Sequence, residues 1–169
     1  MSLTLPSFPN PVDEVSARLV AAGVVVLAGS YVLTGWTPLV ALLAYGFVAR
    51  VLNGPRFSPL ALFVTTWLRP RLPLAPRPVP GPPKRFAQGI GALLSTLALV
   101  LAVTGAGTAG RVTVALVVVA ATLESAAGFC IGCTIFGVLI RRGIVPGSVC
   151  EACNDIRLRT ADRRPTAAI

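Results

Sequence analysis

Long apolar runs, separated by connections that hold most of the charge, constrain the fold of this chain more than any other feature. Only 12% of its 169 residues are charged and 54% are hydrophobic, whereas about 25% of residues are charged in globular proteins. A water-soluble domain of this length would need more charge to cover its core, but lipid solvates apolar side chains directly. The sequence therefore predicts an all-α, polytopic membrane protein.

Four apolar runs are long enough to cross a bilayer as helices, which needs about 20 residues each. The predicted spans are residues 15–33, 36–52, 86–103 and 111–140. The connection at Thr34-Gly35 is so short that the first two spans are expected to be antiparallel neighbours. The last run corresponds to about 45 Å of continuous helix, so it either tilts and projects or breaks near Gly128.

A shorter helix is predicted between the second and third spans. Residues 59–68 follow Ser58, a favourable N-cap, and begin with Pro59, which suits a first helical turn. About ten residues cannot span a bilayer, so we expect an interfacial or re-entrant helix. The predicted fold is a membrane four-helix bundle with this short helix, forming one domain over residues 1–157.

The remaining segments are polar or rich in proline. We expect an extended tail at 1–11, a water-exposed extended loop at 69–83, a cytoplasmic turn at 143–156 and a disordered tail at 158–169.

The basic residues are distributed unevenly among the connections. One side carries Arg56, Arg69, Arg71, Arg77, Lys84 and Arg85 in the long loop, and Arg141, Arg142, Arg157, Arg159, Arg163 and Arg164 near the C-terminus. The two opposite connections carry only Arg111. The positive-inside rule then predicts a multi-pass protein of the cytoplasmic (inner) membrane with both termini in the cytoplasm. Because the arginines fall between apolar runs, the net charge of +9 indicates a lipid bilayer partner and no nucleic acid.

All four cysteines lie in two C-x-x-C pairs. The first pair is Cys130 with Cys133, the second pair is Cys150 with Cys153, and Glu124 is the only acidic residue inside the apolar part of the chain. Residues three apart share a face of a helix, so the two thiols of the first pair can touch. The sequence has no histidine, which excludes haem–histidine ligation and Cys/His zinc sites.

The first interpretation of these residues is thiol chemistry. The first pair would form a membrane dithiol that exchanges electrons or sulfur with the second pair or with a soluble partner. Permanent structural disulfides are not expected on the cytoplasmic side. A break at Gly128 would place Cys130 at a helix N-terminus, where the helix dipole favours a thiolate. Glu124 is then a candidate proton acceptor or structural ion partner, although in a continuous helix it would point away from both thiols.

The second interpretation is a metal site that uses all four thiolates. Sixteen residues separate Cys133 from Cys150, which matches the spacing of four-cysteine zinc sites, and an iron–sulfur cluster would use the same ligands. Against this, the intervening sequence does not resemble the hairpins of a zinc ribbon. Two further alternatives are that the cysteines are small buried hydrophobes with Glu124 paired to an arginine, and that the chain anchors a soluble redox or sulfurtransferase enzyme.

A candidate anion-binding site lies in the segment NGPRFSP and the helix before it. Arg50, Arg56 and the helix start at Ser58 could hold an anion, because guanidinium groups and free backbone N–H groups favour one. Beside reactive cysteines, a sulfur oxyanion or a thiolate compound would be a suitable substrate. The alternative, which the distribution of arginines favours, is that these residues meet lipid phosphates and set the topology.

The pattern LES-x2-GFC-x-GC-x2-F-x2-L followed by G-x-VP-x3-CE-x-CN, with RVLNGPRFSP upstream, resembles a bacterial membrane family called domain of unknown function family 4395. The resemblance covers about residues 12–156. It marks Glu124, Gly128, Cys130, Cys133, Pro146, Cys150, Glu151, Cys153 and Asn154, together with Gly54, Pro55, Arg56, Ser58 and Pro59.

The resemblance implies a small four-helix thiol protein, loosely similar to disulfide-forming membrane enzymes and to the DoxX group. It also implies thioredoxin-like or rhodanese-like protein partners, which favours redox or sulfur-transfer chemistry. Small residues at Gly89, Gly91 and Ala92 would let helices pack closely, either within one chain or between two copies in a homo-oligomer.

Overall fold

Helices form most of the chain in a computed structural model, which describes residues 10–146 and residue 149. They are α1 (Glu14–Thr34), α2 (Thr37–Asn53), α3 (Pro59–Leu62), α4 (Gly81–Val103), α5 (Gly107–Ala127) and α6 (Ile131–Arg141). Two short strands, β1 (Val12–Asp13) and β2 (Pro78–Val79), pair in antiparallel fashion. Most of the predicted tail at 1–11, most of the predicted turn at 143–156 and all of the predicted tail at 158–169 lie outside the described residues.

The predicted polytopic all-α bundle is confirmed. In the part of the chain that the structure describes, four helical segments are long and apolar enough to cross a membrane, namely Glu14–Thr34, Thr37–Arg71, Gly81–Val103 and Gly107–Ala127. Helix α1 packs on α2 and α5, and α4 packs on the same two helices, so the four main helices form a closed ring. Large apolar side chains such as those of Val26 and Leu33 point outward, with 70% and 80% of their surface exposed. Lipid solvates such side chains, whereas water would not.

Small residues bring the helices of the core close together. Tyr31 and Ala98 are buried at the centre of the ring with Val40 and Val114. A Cβ atom at Gly110 would lie only 2.9 Å from the carbonyl oxygen of Ala98 and 3.0 Å from the Tyr31 hydroxyl. The absence of a side chain at Gly110 therefore lets α5 approach both α4 and α1.

The boundaries of the last two spans differ from the predicted ones. The third span begins at Gly81 instead of near residue 86, because two prolines occupy its first turn, where a missing N–H does no harm. The predicted fourth span, residues 111–140, is two helices. Helix α5 ends at Ala127, and Gly128 then adopts a left-handed conformation with φ of 68°, which ends a helix readily at glycine.

The predicted short helix at 59–68 is present and packs against α1. It consists of α3 followed by a π-helix at Phe63–Leu68. Ala61 and Val64 are buried with Val20 of α1. A Cβ at Gly23 of α1 would lie 2.5 Å from a methyl carbon of Leu60, so the Leu60 side chain packs directly on the α1 backbone.

The aspartate at the start of α1 joins three parts of the chain. Asp13 is the N-cap of α1, and its carboxylate accepts a hydrogen bond from the amide of Ser16 at 3.2 Å. The same carboxylate accepts hydrogen bonds from the Arg69 guanidinium at 2.7 Å and from the amide of Arg77 at 3.0 Å. The loop predicted to be extended and exposed is thus tied to the bundle at two points.

Helices α1 and α5 are capped reciprocally by arginines. Arg111, near the start of α5, donates to the carbonyl oxygens of Val32 and Leu33 at 2.8 and 2.6 Å, at the end of α1. Arg18, near the start of α1, donates to two carbonyl oxygens in the last turn of α5. Each arginine satisfies acceptors that have no partner within their own helix.

The last described helix, α6, is held against the start of α4. A Cβ at Gly132 would lie 2.6 Å from both Cα and Cβ of Ala87, so the two helices touch at the backbone. One turn further along α6, the Phe136 ring lies 5.4 Å from the Phe86 ring, measured between centroids.

We expect Gly132→Ala to destabilise the protein by about 1–3 kcal/mol, because the new methyl group must push α6 away from α4. Gly137→Ala is the matched control in the same helix, since nothing lies within 4 Å of a Cβ there. It should be neutral or stabilising by about 0.5–1 kcal/mol. Thermal unfolding in detergent measures both effects, and equal stabilities of the two variants would contradict this packing.

The pH dependence of stability should contain a contribution from Asp13. Partial burial alone would raise the pKa of Asp13, but its hydrogen bonds with Arg69, Arg77 and Ser16 lower that pKa from 3.8 to about 2. The carboxylate therefore stabilises the fold at pH values above 3.8, and this contribution disappears as the pH falls through about 2. Asp13→Asn should be less stable than the wild type at neutral pH and equal to it near pH 2, as measured by unfolding at each pH. A difference that does not change with pH would contradict this assignment.

Candidate functional site

The first cysteine pair lies at the break between α5 and α6. Cys130 is the N-cap of α6, with extended backbone angles of φ −97° and ψ 103°. Its sulfur accepts a hydrogen bond from the amide of Cys133 at 3.3 Å, and its carbonyl oxygen accepts one from the amide of Thr134 at 3.1 Å. The last apolar run is therefore broken at Gly128, which was one of the two possibilities considered from the sequence. The break places Cys130 at a helix N-terminus.

Cys130 and Cys133 are joined by a disulfide bond, with their Cα atoms 5.2 Å apart. Both residues are half-buried. The predicted contact within the first pair is thus present. Cys150 and Cys153 lie outside the described residues.

The carboxylate of Glu124 is paired with a lysine. Its Oε1 atom lies 2.5 Å from Nζ of Lys84, at the start of α4, and the two side chains are only 18% and 10% exposed. Among the described residues this is the one side-chain partner of Glu124. Glu124 is therefore an ion partner, as one of the alternatives predicted, although its partner is a lysine and not an arginine. Its role as a proton acceptor stays a prediction.

The predicted anion-binding residues are divided between the interior and the surface. Arg50 is buried and donates to Oε1 of Gln88 at 2.9 Å and to the Ser58 hydroxyl at 3.3 Å. Its guanidinium also lies over the Phe47 ring, 4.5 Å from the centroid. Arg56, in contrast, is exposed in the turn before α3. Arg50 and Ser58 thus come together, and the hydrogen-bond partners of the Arg50 guanidinium are uncharged. Anion binding by all three residues stays a prediction.

Two polar residues of α4, Lys84 and Gln88, are the partners of Glu124 and Arg50, and neither was predicted as a site residue. Lys84 is the only lysine in the chain, and Gln88 follows it by four residues, so the two share a face of the helix. Lys84 pairs with α5, whereas Gln88 bonds to α2. For Gln88, a polar residue inside a predicted apolar span was the signal that could have identified it.

The end of α5 beside the disulfide is held by Arg18 of α1. Its Nε donates to the carbonyl oxygen of Ser125 at 3.1 Å, and its Nη2 donates to that of Ala126 at 2.8 Å. A Cβ at Gly128 would lie 3.2 Å from Oε1 of Glu14. The chain can therefore turn sharply here only because glycine occupies the position between α5 and Cys130.

The predicted metal site cannot be assembled from the described residues alone. Within residues 10–146 and 149, no cluster of three or more Cys, His, Asp or Glu side chains is placed to hold a metal ion. The two described sulfur atoms are bonded to each other, and a disulfide offers no thiolate ligands. Binding of zinc or an iron–sulfur cluster would need both pairs reduced and brought together, and it stays a prediction.

Removing one partner of the Glu124–Lys84 pair should be costly. We expect Glu124→Gln to destabilise the protein by about 3–5 kcal/mol, because it leaves the buried ammonium group without a carboxylate. The matched control is the double variant Glu124→Leu with Lys84→Met, which removes both charges. Its free energy of unfolding should be close to that of the wild type. Unfolding in detergent measures each variant. A double variant as unstable as the single one would show that the pair does not act as a unit.

Comparison with known proteins identifies a family for this chain. The model of the family described as "Domain of unknown function (DUF4395)" matches residues 12–141. The match includes the first cysteine pair, Glu124 and the buried arginine network, and it ends before the second pair. No curated protein and no solved structure matches the chain. Since the matched range is most of its length, the chain belongs to the DUF4395 family, a domain of unknown function.

Proposed function

We propose that this protein is a membrane thiol–disulfide or sulfur-relay protein, in which Cys130 and Cys133 alternate between a disulfide and a dithiol. The observation that carries the proposal is the placement of this pair at the N-terminus of α6, immediately after the break at Gly128. A purely structural disulfide would join separate elements, but residues three apart already belong to the same turn. The bond therefore contributes little to the fold, which favours a reactive role.

The geometry distinguishes the two cysteines. The amide of Cys133 donates to the Cys130 sulfur, and the positive end of the α6 dipole lies at the same position. Both interactions stabilise a negative charge on Cys130 after reduction. Cys133 lies three residues further along, in the first turn of α6, and its own amide is the group that donates to Cys130. Cys130 is therefore the attacking thiolate, and Cys133 is the resolving thiol.

The exchange proceeds through a mixed disulfide. The Cys130 thiolate attacks a partner disulfide, forms a bond to one partner sulfur and releases the other as a thiolate. Cys133, after losing its proton, then attacks Cys130, forms the intramolecular disulfide and releases the partner dithiol. Two electrons and two protons pass from the membrane pair to the partner, and the reverse sequence re-reduces the membrane pair.

Three partners fit this chemistry. The second pair, Cys150 and Cys153, follows on the same chain, and a soluble thioredoxin-like protein would supply an equivalent dithiol. A rhodanese-like protein would instead carry a persulfide. In that case the Cys130 thiolate takes the outer sulfur and releases the carrier as a thiolate. In this scheme the role of Glu124 is structural: its ion pair with Lys84 holds α4 and α5 together beside the break.

The proposed site is on the cytoplasmic side of the inner membrane, with both termini in the cytoplasm. The support is the charge at this end of the bundle. Arg18, Arg69, Arg77 and Lys84 all form contacts near the start of α1 or α4, whereas Arg111 caps the opposite end. An excess of arginine and lysine is typical of cytoplasmic connections.

Trapping of the mixed disulfide tests the proposal. In Cys133→Ser the resolving thiol is missing, so a partner joined to Cys130 should accumulate and appear on non-reducing gels. The matched variant Cys130→Ser keeps the same number of cysteines and should trap several-fold less, because Cys133 lacks the stabilised thiolate. Mass spectrometry of the adduct identifies the partner, including an adduct with Cys150 or Cys153.

Two outcomes would overturn the relay. Cysteines that stay fully reduced and fail to react with thiol reagents in cells would remove the redox proposal and leave the anchor role. Stoichiometric zinc or iron in the purified protein, lost in Cys150→Ser, would favour the second candidate. That candidate is the four-thiolate metal site, supported by the sixteen-residue spacing between Cys133 and Cys150.

A further inference from the structure

A groove of about 430 Å³ opens at the basic end of the bundle. It lies between the start of α1, the end of α5 and the loop segment that contains Leu74 and Arg77. Val15, Leu19 and Ala22 of α1 form its apolar wall together with Leu74. The groove is separate from the disulfide, since neither cysteine lines it, and the proposed exchange does not use it.

The polar side of the groove is positively charged. Arg18 and Arg77 line it, and no acidic residue does so in the described part of the chain. Arg18 uses Nε and Nη2 for the carbonyl oxygens at the end of α5, which fixes its guanidinium at the rim. Arg77 bonds to its described neighbours through its backbone amide and carbonyl. Within the described residues, its side chain forms no hydrogen bond or ion pair.

The apolar wall continues as a strip along the outer face of α1. Val15, Leu19, Ala22, Val26 and Leu33 fall within about 40° of one direction at 100° per residue, and the strip is about 27 Å long. Val26 and Leu33 are 70% and 80% exposed. The strip also passes Gly29, where nothing lies within 4 Å of a Cβ position, so the surface is open at that point.

We propose that this groove binds one anionic phospholipid. The headgroup phosphate lies between Arg18 and Arg77, and one acyl chain follows the strip along α1. Guanidinium groups suit phosphate oxygens because they offer several N–H donors in one plane. The groove lies at the level where α1 meets the basic connections, which is the depth of the headgroups. A soluble anion would fill the charged side but would leave the apolar wall and the strip without a partner.

Native mass spectrometry of protein released from nanodiscs tests this site. The discs contain phosphatidylglycerol and phosphatidylcholine with the same acyl chains in equal amounts. The wild type should retain one phosphatidylglycerol in preference to phosphatidylcholine. Arg77→Gln should reduce that preference about fivefold, the contribution of one basic residue near an anionic headgroup. Arg77→Lys, which keeps the charge, should retain most of the preference for phosphatidylglycerol.

Arg71→Gln is the matched control, because Arg71 lies in the same loop but stacks on Trp67, 3.8 Å from the ring centroid, outside the groove. It should leave the preference unchanged. Ala22→Phe fills the apolar wall while leaving both arginines, and it should abolish retention of the lipid.

Three results would overturn the proposal. Equal retention of the two lipids would show that the headgroup charge is not recognised. An equal loss of the phosphatidylglycerol preference in Arg77→Gln and in Arg71→Gln would indicate a general effect of surface charge and not a specific site. Competition by free inorganic phosphate at the same concentration, with Ala22→Phe unaffected, would show that the groove binds a small anion and not a lipid.

Discussion

The carbonyl groups at the end of α5 place the strongest constraint on this structure. A helix that ends near a bilayer leaves its last carbonyl oxygens without partners, and lipid offers no donors to replace them. Arg18 reaches across from α1 to satisfy two of them, and the amides of Gly128 and Phe129 bond back to Glu124 and Leu123. With these acceptors satisfied, α5 can stop inside an apolar run, and α6 can begin with a cysteine at its N-cap.

Charge inside the bundle is confined to the same end. Lys84 and Glu124 neutralise each other between α4 and α5, while Arg50 is held by neutral groups and by the Phe47 ring. The Lys84–Glu124 pair joins α4 to α5, and the Arg50–Gln88 hydrogen bond joins α2 to α4, so together they fix the positions of α2, α4 and α5 beside the break. Helix α6 in turn packs on α4 through Gly132. The position of the disulfide thus depends on an ion pair that does not touch it.

Much of the site could be predicted from the sequence, but its internal partners could not. The C-x-x-C spacing predicted that Cys130 and Cys133 can touch, and the glycine at 128 indicated where the last run could break. The partner of Glu124 was not predictable, because Lys84 lies forty residues away in sequence and belongs to a stretch that resembled a loop. The prolines at the start of α4 made its first turn resemble a loop, since proline is common both in loops and in first helical turns. In the same way Arg50, Arg56 and Ser58 were predicted as one site, whereas in the structure Arg56 lies at the surface, away from the buried Arg50 and Ser58.

The sequence by itself determined that the chain is a bundle of apolar helices, because charges are few and apolar runs are as long as a bilayer is thick. It also determined which helix ends carry the arginines, since these residues separate the runs. Only the tertiary structure decided that α5 and α6 are separate helices and that the carboxylate of Glu124 meets a lysine. The physical reason is that hydropathy depends on residue type along the chain. Capping, ion pairing and close glycine contacts depend on which distant segments the fold brings within a few ångströms of each other.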